Sequence, residues 1–253
     1  MPANKISILS TRPLGTALTG QAAAKGIAID TLSFIETAPV RDPALDSRIR
    51  GLSRETLAVV FTSMNAVEAV AGSLRSSAEG SAPGFAGISG HWRIFCIGGA
   101  TRQGVEENFG EASIAGTALS AGELADVIIR AKVPEVCFFC GDQRRDELPE
   151  KLKKAGIGVR EIGVYTTNPT PQRLDKMYEG IVFFSPSAAD SFFSLNKPAP
   201  ETVLFAIGPT TADAIRRHCT NPVICSVSPD KEALIRLAID HFQSRVTDQQ
   251  EGP

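Results

Sequence analysis

Features that define several large classes of proteins are missing from this sequence of 253 residues. Basic and acidic side chains nearly balance, 26 against 28, and the chain contains no long run of Lys or Arg. A nucleic-acid-binding surface needs basic charge concentrated on one face of the protein. We therefore expect no nucleic-acid partner.

Long hydrophobic runs are also missing, although 43% of the residues are hydrophobic. No apolar run approaches the roughly 18–20 residues that a membrane-spanning helix requires. Residues 1–10 lack the basic region and the apolar stretch of a signal peptide. The composition thus predicts a folded cytoplasmic protein that does not contact a membrane.

Cysteine and histidine are too few and too scattered for a disulfide framework or a metal site. The chain has five cysteines and three histidines. Cys137 and Cys140 form a CxxC pattern, but both lie in an apolar run and no second such pair accompanies them. In a strand, three-residue spacing places them on opposite faces. We expect reduced thiols, no metal, and no organic cofactor, because the glycine-rich nucleotide fingerprints are missing too.

The sequence does contain a regular alternation of short apolar runs and helical patterns. Runs that are apolar throughout are typical of parallel strands covered on both faces, and their alternation with helices indicates the α/β class. Ser120 and Glu123 form a capping box that predicts the start of one helix. The predicted strands are residues 6–9, 58–61, 94–97, 136–140, 181–184 and 203–207.

Three weak internal matches occur in the same order along the chain. Residues 61–66 resemble 183–188, residues 97–101 resemble 207–211, and residues 8–12 with 25–27 resemble 139–142 with 155–157. The matches indicate two copies of a similar α/β unit, with a ligand site expected in a cleft between them. Taken alone, the repeat favours a contiguous division near Pro134.

Hydroxyl side chains follow the predicted strands, at the edge where open α/β sheets bind ligands. Together with the free N–H groups of helix N-termini, they predict a receptor for phosphates or carboxylates. Each hydroxyl is equally explained as an ordinary helix N-cap. These residues are Ser10, Thr11, Thr62, Ser63, Thr101, Ser185, Ser187, Thr210 and Thr211.

Few charged or aromatic side chains accompany these turns. Arg12 follows the first predicted strand, and Arg144 and Arg145 follow the fourth. Each arginine could equally be a solvated surface residue. Tyr165 follows a further strand and is one of only two tyrosines. Its phenol could be structural or catalytic, and the residues alone do not decide between the two.

Seven of these segments, taken together and in order, resemble the uroporphyrinogen-III synthase family. The resemblance runs from about residue 6 to residue 241. The segments that carry it are STRP at 10–13, FTSMNA at 61–66, IGGAT at 97–101, RDEL at 145–148, VYTT at 164–167, FSPSA at 184–188 and IGPTT at 207–211.

The resemblance implies a cofactor-free enzyme of tetrapyrrole biosynthesis, a hydro-lyase that closes linear hydroxymethylbilane to uroporphyrinogen III with inversion of the last ring. It implies a catalytic role for Tyr165 and a substrate-binding surface drawn from the strand-end turns. We expect the protein to act as a monomer. The implied substrate-binding residues are Arg12, Thr62, Ser63, Thr101, Arg145, Ser185, Ser187, Thr210 and Thr211.

The resemblance also implies two similar parallel-sheet domains of the flavodoxin-like, doubly wound type, joined by two extended linkers. Carried onto this chain, the first domain comprises residues 1–37 and 168–253, and the second comprises residues 38–167. Prolines support these linker positions independently, because they stiffen extended segments. They are Pro39, Pro43, Pro169 and Pro171.

Two other functions stay open at this point. One is a cytoplasmic two-domain binding protein that senses an anionic small molecule without a reaction. The other is a flavodoxin-like binder of a mononucleotide. Only Tyr165 and the set of seven segments separate the enzyme from these alternatives.

Overall fold

The structure is a computed structural model that describes residues 6–75, 91–228 and 230–250. The chain divides into two compact units. The first unit consists of Met1–Glu36 together with Asn168–Pro253, and the second unit is Thr37–Thr167. The second unit is therefore a single stretch of chain, whereas the first is made of two.

Strands and helices alternate along the described residues. The strands are β1 (Ile6–Ser10), β2 (Ile27–Thr31), β3 (Ile35–Pro39), β4 (Leu57–Phe61), β5 (Trp92–Ile97), β6 (Ile114–Ala118), β7 (Glu135–Gly141), β8 (Gly158–Pro169), β9 (Gly180–Phe183), β10 (Val203–Ala206) and β11 (Val223–Cys225). The helices are α1 (Thr16–Ala24), α2 (Pro43–Leu52), α3 (Met64–Arg75), α4 (Ala100–Phe109), α5 (Ala121–Arg130), α6 (Glu147–Lys154), α7 (Pro186–Phe193), α8 (Pro209–Arg216) and α9 (Lys231–Gln250).

The sheet of the first unit has the strand order β11-β10-β9-β1-β2, with parallel registers. Neighbouring residues along these strands pack in different hydrophobic cores, one on each face of the sheet. Ile8 and Val182 pack in one cluster, while Leu9 and Phe183 pack in another. Both faces are therefore buried, which explains why these strands are apolar without alternation.

The sheet of the second unit has the order β3-β8-β7-β4-β5-β6. The registers described for β4 to β8 are parallel. Phe61 and Phe139 stack on one face with ring centroids 5.5 Å apart, while Val60 and Phe138 lie in the core of the other face. The predicted α/β class with parallel sheets is confirmed.

The internal repeat alone suggested the wrong division of the chain. β7 begins at Glu135, just after the proposed break near Pro134, yet it pairs with β4 on one side and β8 on the other. Strand pairing therefore keeps residues on both sides of Pro134 in one sheet.

All five cysteines are free, with no disulfide between them. Cys137 and Cys140 are buried in β7 and belong to the cores on opposite faces of the sheet. Burial raises the pKa of Cys137 to about 12 and that of Cys96 to about 11. These thiols therefore stay protonated and act as small apolar side chains.

Two absences hold within the part of the chain that the structure describes. No helix there is both long enough and apolar enough to cross a membrane. His, Cys, Asp and Glu side chains form no group of three or more among those residues that could hold a metal ion. The expectation of a cofactor-free protein stays a prediction.

Candidate functional site

Tyr165 lies inside β8, four residues before the end of the strand. The sequence predicted that Tyr165 follows a strand, and this prediction was wrong, because β8 continues past it to Pro169. Main-chain and side-chain bonds hold this part of the strand. The Asp142 amide donates to the Tyr165 carbonyl, 3.2 Å away, and Asp142 Oδ1 accepts from the Thr167 amide at 2.9 Å.

The phenol of Tyr165 is half-buried and meets the first turn of α3. Ser63 Oγ donates to the phenolic oxygen across 3.2 Å and also accepts from the Ala66 amide at 3.2 Å. Ser63 is thus the N-cap of α3 and a partner of Tyr165 at once. Because the phenolic oxygen accepts from Ser63, its own O–H is free to donate to a ligand.

A cavity of about 140 Å³ lies beside the Tyr165 ring, entirely within the second unit. A cavity of about 150 Å³ is large enough for benzene. This one therefore has room for about one small ring or a ring substituent. It is lined by Thr37, Ala38, Pro39, Val40, Arg41, Asn65, Glu68, Ala69, Gly72, Ser73 and Tyr165.

Among the polar side chains of this cavity that were not predicted as site residues are Arg41, Asn65 and Glu68. Asn65 and Glu68 are one turn apart on α3, so they share a face of the helix. Arg41 follows β3 closely, is exposed, and forms no ion pair with another described residue. Asn65 was within reach of sequence analysis, because it lies in the FTSMNA segment next to Ser63. Arg41 carried no comparable signal.

The other predicted site residues of the second unit lie at strand ends but outside this cavity. Thr62 is half-buried directly after β4. Thr101 is buried in the first turn of α4, whose N-cap is Gly99. Arg145 is exposed between β7 and α6, whereas its neighbour Arg144 is engaged by Asp146 and Glu161.

The predicted residues of the first unit lie at the starts of α7 and α8. Ser185 is the N-cap of α7 and accepts from the Ala188 amide at 3.1 Å. Ser187 Oγ lies 3.2 Å from Ser185 Oγ. Thr210 is exposed on α8, while Thr211 is fully buried and its Oγ1 has no hydrogen-bond partner among the described residues.

The turn after β1 uses its hydroxyls within the protein. Ser10 Oγ donates to the Arg12 carbonyl at 2.6 Å, and Thr11 Oγ1 donates to the Val182 carbonyl at 2.9 Å. Arg12 itself is exposed. Ser10 and Thr11 therefore serve to shape this turn, and the Arg12 side chain is the group that it presents to solvent.

The capping explanation thus applies to some of the hydroxyls only. Ser63 and Ser185 cap helices, whereas Gly99 and Gly208 occupy the N-cap positions of α4 and α8. A glycine cap leaves N–H groups of the first turn without a side-chain acceptor. Such N–H groups can bind carboxylates with little formal positive charge.

The family model described as uroporphyrinogen-III synthase HemD matches residues 16–236 of this chain. Uroporphyrinogen-III synthase of Saccharomyces cerevisiae is 28% identical over 146 residues, which are 47% of this chain and 53% of the yeast protein. The match therefore spans about half the length of that relative.

Two solved structures share the fold. The uroporphyrinogen-III synthetase of Helicobacter pylori 26695 has a TM-score of 0.62 at 17% identity, covering 93% of this chain and 99% of that one. A mutant uroporphyrinogen III synthase of the extremely thermophilic bacterium Thermus thermophilus has a TM-score of 0.60 at 14% identity, covering 95% of this chain and 99% of that one. At such low sequence identities, these similarities show a shared α/β fold and nothing more.

Proposed function

Since the chain belongs to the uroporphyrinogen-III synthase family, we propose that it closes hydroxymethylbilane to uroporphyrinogen III, with loss of water and inversion of ring D. The observation that carries the proposal is the family match over residues 16–236. That match includes Tyr165 and Ser63, which are joined by a hydrogen bond beside a cavity of ring size.

The reaction begins with departure of the hydroxyl from the hydroxymethyl group of the substrate. The neighbouring pyrrole nitrogen supplies the electron pair that expels it, so the protein needs only a proton donor near the oxygen. The Tyr165 O–H is such a donor, because its oxygen accepts from Ser63. The carbon–oxygen bond breaks, water leaves, and an azafulvene-like cation remains.

The remaining steps are a matter of orientation. The substituted carbon of the terminal ring bonds to the cationic methylene carbon and gives a spiro intermediate. The bond from that ring carbon to its original methylene bridge then breaks, and the freed bridge carbon bonds to the unsubstituted α-carbon of the same ring. Loss of the proton on that carbon completes the product and balances the proton given to the departing hydroxyl. The protein must hold the linear substrate so that the substituted carbon is the one that attacks. Catalysis of this step therefore depends on orientation of the substrate and not on strong acids or bases. The cavity beside Tyr165 is of a size to accept one ring or its substituent.

The eight carboxylates of the substrate need several anion-binding groups. We assign this role to the strand-end turns, with Arg41 as an additional cation at the Tyr165 cavity. The set comprises Arg12, Thr62, Ser63, Thr101, Arg145, Ser185, Ser187, Thr210 and Thr211. First-turn N–H groups supplement these side chains, which is why a chain of net charge −2 can bind a polyanion.

We further propose that the two units act as two domains joined by the linkers 37–40 and 167–171. The ends of β3 and β8 include residues 37–39 and 167–169 of these segments, and the two strands are neighbours in the sheet order. The Val40 amide donates to the Val164 carbonyl at 2.9 Å, and the Thr170 amide donates to the Phe34 carbonyl at 2.9 Å. We also propose that the protein is a monomer, which sedimentation tests. We propose that it is located in the cytoplasm, which cell fractionation tests.

The deciding experiment supplies enzymatically generated hydroxymethylbilane and separates isomers I and III of the product. The uncatalysed reaction gives isomer I, so formation of isomer III reports catalysis. We expect full isomer III production after exhaustive chelation and dialysis. Restoration of lost activity by a metal or a flavin would refute the cofactor-free proposal. Tight binding of the substrate with only isomer I formed would instead favour the anion-sensing alternative.

A further inference from the structure

A β-bulge in β8 determines the face of the sheet on which Tyr165 lies. Cys140 of β7 is paired with Gly163, but the next residue, Gly141, is paired with Tyr165. Val164 is therefore the extra residue of the bulged strand. Bulges of this kind redirect side chains.

The consequence is visible in the packing. Side chains of an ordinary strand alternate between faces, so Val164 and Tyr165 should lie on opposite sides. Instead, Val164 is buried in the core that also contains Phe139, and the Tyr165 side chain packs against that same core. The bulge thus places the phenol on the α3 side of the sheet, where Ser63 meets it.

Gly141 leaves the space that the redirected ring occupies. A Cβ atom at position 141 would lie 2.4 Å from Tyr165 Cζ, 2.6 Å from Cε2 and 2.8 Å from the phenolic oxygen. These separations are all far inside van der Waals contact. The backbone at Gly141 does not have a positive φ, so the conformation itself tolerates any residue. Glycine is needed at this position because it has no side chain, and not because of its backbone flexibility.

We propose that Gly141 is a positioning residue, which holds the Tyr165 phenol against Ser63 by leaving room for its ring. The importance of this for turnover rests on the function proposed above for Tyr165. A methyl group at position 141 meets the far end of a flexible side chain. The ring should therefore swing aside and the sheet should remain folded.

The direct test places 3-fluorotyrosine at both tyrosines of the chain and records ¹⁹F NMR spectra. The Tyr165 signal is identified by its loss in Tyr165→Phe, and Tyr178, bonded to Asp30 at 3.0 Å, is the internal reference. In Gly141→Ala we expect the Tyr165 signal to move and the Tyr178 signal to stay. An unmoved Tyr165 signal in folded Gly141→Ala would overturn the proposal, whatever the activity.

Two other glycines of the second unit provide matched controls. Gly163→Ala adds a methyl group that meets nothing within 4 Å, on the same strand as Tyr165. Gly116→Ala creates a clash with Val127, 2.6 Å away, at another site. Both controls should leave the Tyr165 signal and the isomer III rate unchanged. A shift of the Tyr165 signal as large in Gly116→Ala would mean that it reports general strain, which would overturn the proposal.

Kinetics of the double variant separate positioning from chemistry. Gly141→Ala should lower kcat by about 10- to 100-fold, toward the Tyr165→Phe value, with little change in KM. Adding Gly141→Ala to Tyr165→Phe should then cost no further rate. If Tyr165→Phe retains full activity, the catalytic role fails, while the NMR result still decides whether Gly141 positions the ring.

A folding failure of Gly141→Ala is also informative. If the ring is the obstacle, Gly141→Ala combined with Tyr165→Ser should fold, as judged by its thermal unfolding transition. Failure of that pair to fold would show that position 141 excludes a side chain for another reason, and would overturn the proposal.

Discussion

Ser63 Oγ lies 3.2 Å from the phenolic oxygen of Tyr165, although 102 residues separate the two in sequence. The Ser63 hydroxyl therefore links the N-terminus of α3 to the Tyr165 side chain. Because Ser63 donates in this bond, the phenolic O–H of Tyr165 is available to donate a hydrogen bond to a departing oxygen.

Removal of the phenolic hydroxyl tests this arrangement. Tyr165→Phe should lower isomer III formation within the roughly 10²–10⁴-fold range of a general acid, near the lower end, because the pyrrole nitrogen supplies most of the driving force. Isomer analysis measures it. Unchanged turnover in a folded variant would return Tyr165 to a structural role. A switch from isomer III to isomer I at the same total rate would assign it to ring orientation.

Ser63→Ala should affect both stability and activity. Loss of the bond to the Ala66 amide should cost about 1 kcal/mol in free energy of unfolding. Ser120→Ala is the control, since Ser120 caps α5 through the Glu123 amide at 3.2 Å without touching a tyrosine. Urea unfolding should show similar losses in both variants, but only Ser63→Ala should lower kcat. Equal activity of the two would remove Ser63 from the site.

Arg41→Met should raise KM for hydroxymethylbilane with little change in kcat, because the cation is assigned to a substrate carboxylate. One charge-assisted hydrogen bond is worth about 1.5–3 kcal/mol, or roughly 10- to 150-fold in affinity. Arg48→Met provides the control, as Arg48 is exposed on α2 and does not line the cavity. An equal effect of both variants would indicate general charge attraction. No effect of Arg41→Met would exclude the assignment.

Thr211→Val separates a buried hydroxyl from a ligand-binding one. The Thr211 hydroxyl is buried without a partner among the described residues, so its removal should stabilise the protein by about 1 kcal/mol. Because Thr211 is assigned to the substrate-binding set, substrate affinity should also fall modestly in a direct binding titration. Thr210→Val, at the exposed neighbouring position, should leave stability unaltered. Unchanged substrate binding by Thr211→Val would remove this residue from the site.

The buried thiols predict a loss of stability at alkaline pH. Burial raises the pKa of Cys137 to about 12, so the unfolded chain releases this proton near pH 9 while the folded chain keeps it. This contribution to stability is complete below pH 9 and is lost as the pH rises toward 12. Urea unfolding at pH 8 and pH 10 should show a smaller decline for Cys137→Ala than for the unmodified chain. An identical decline in both proteins would contradict the assignment.

Reaction with a thiol reagent provides a second readout for the cysteines. At pH 8 the half-buried Cys219 and Cys225 should react first, while Cys96, Cys137 and Cys140 should react only on unfolding. Counting modified thiols by mass spectrometry measures this. Rapid modification of a β7 cysteine in the folded protein would show that the sheet opens locally.

Local physics determined the fold class and the helix caps. Strands buried on both faces must be apolar throughout, so β1, β4, β5, β7, β9 and β10 are readable as runs in the sequence. Ser120 and Glu123 likewise mark the start of α5, where the Ser120 hydroxyl accepts from the Glu123 amide. These features depend on residues that are close in sequence. The family resemblance depended, in addition, on the order of the seven segments along the chain.

Tertiary structure alone decided how the site is assembled. The contact between Ser63 and Tyr165 depends on the bulge at Val164 and on the missing side chain of Gly141, and pattern periodicity reports neither. Sequence patterns likewise do not report that Thr211 is buried or that Arg41 lines the Tyr165 cavity. The physical reason is that register and packing are set by residues far apart in the chain, whereas strand and helix patterns are set by neighbours.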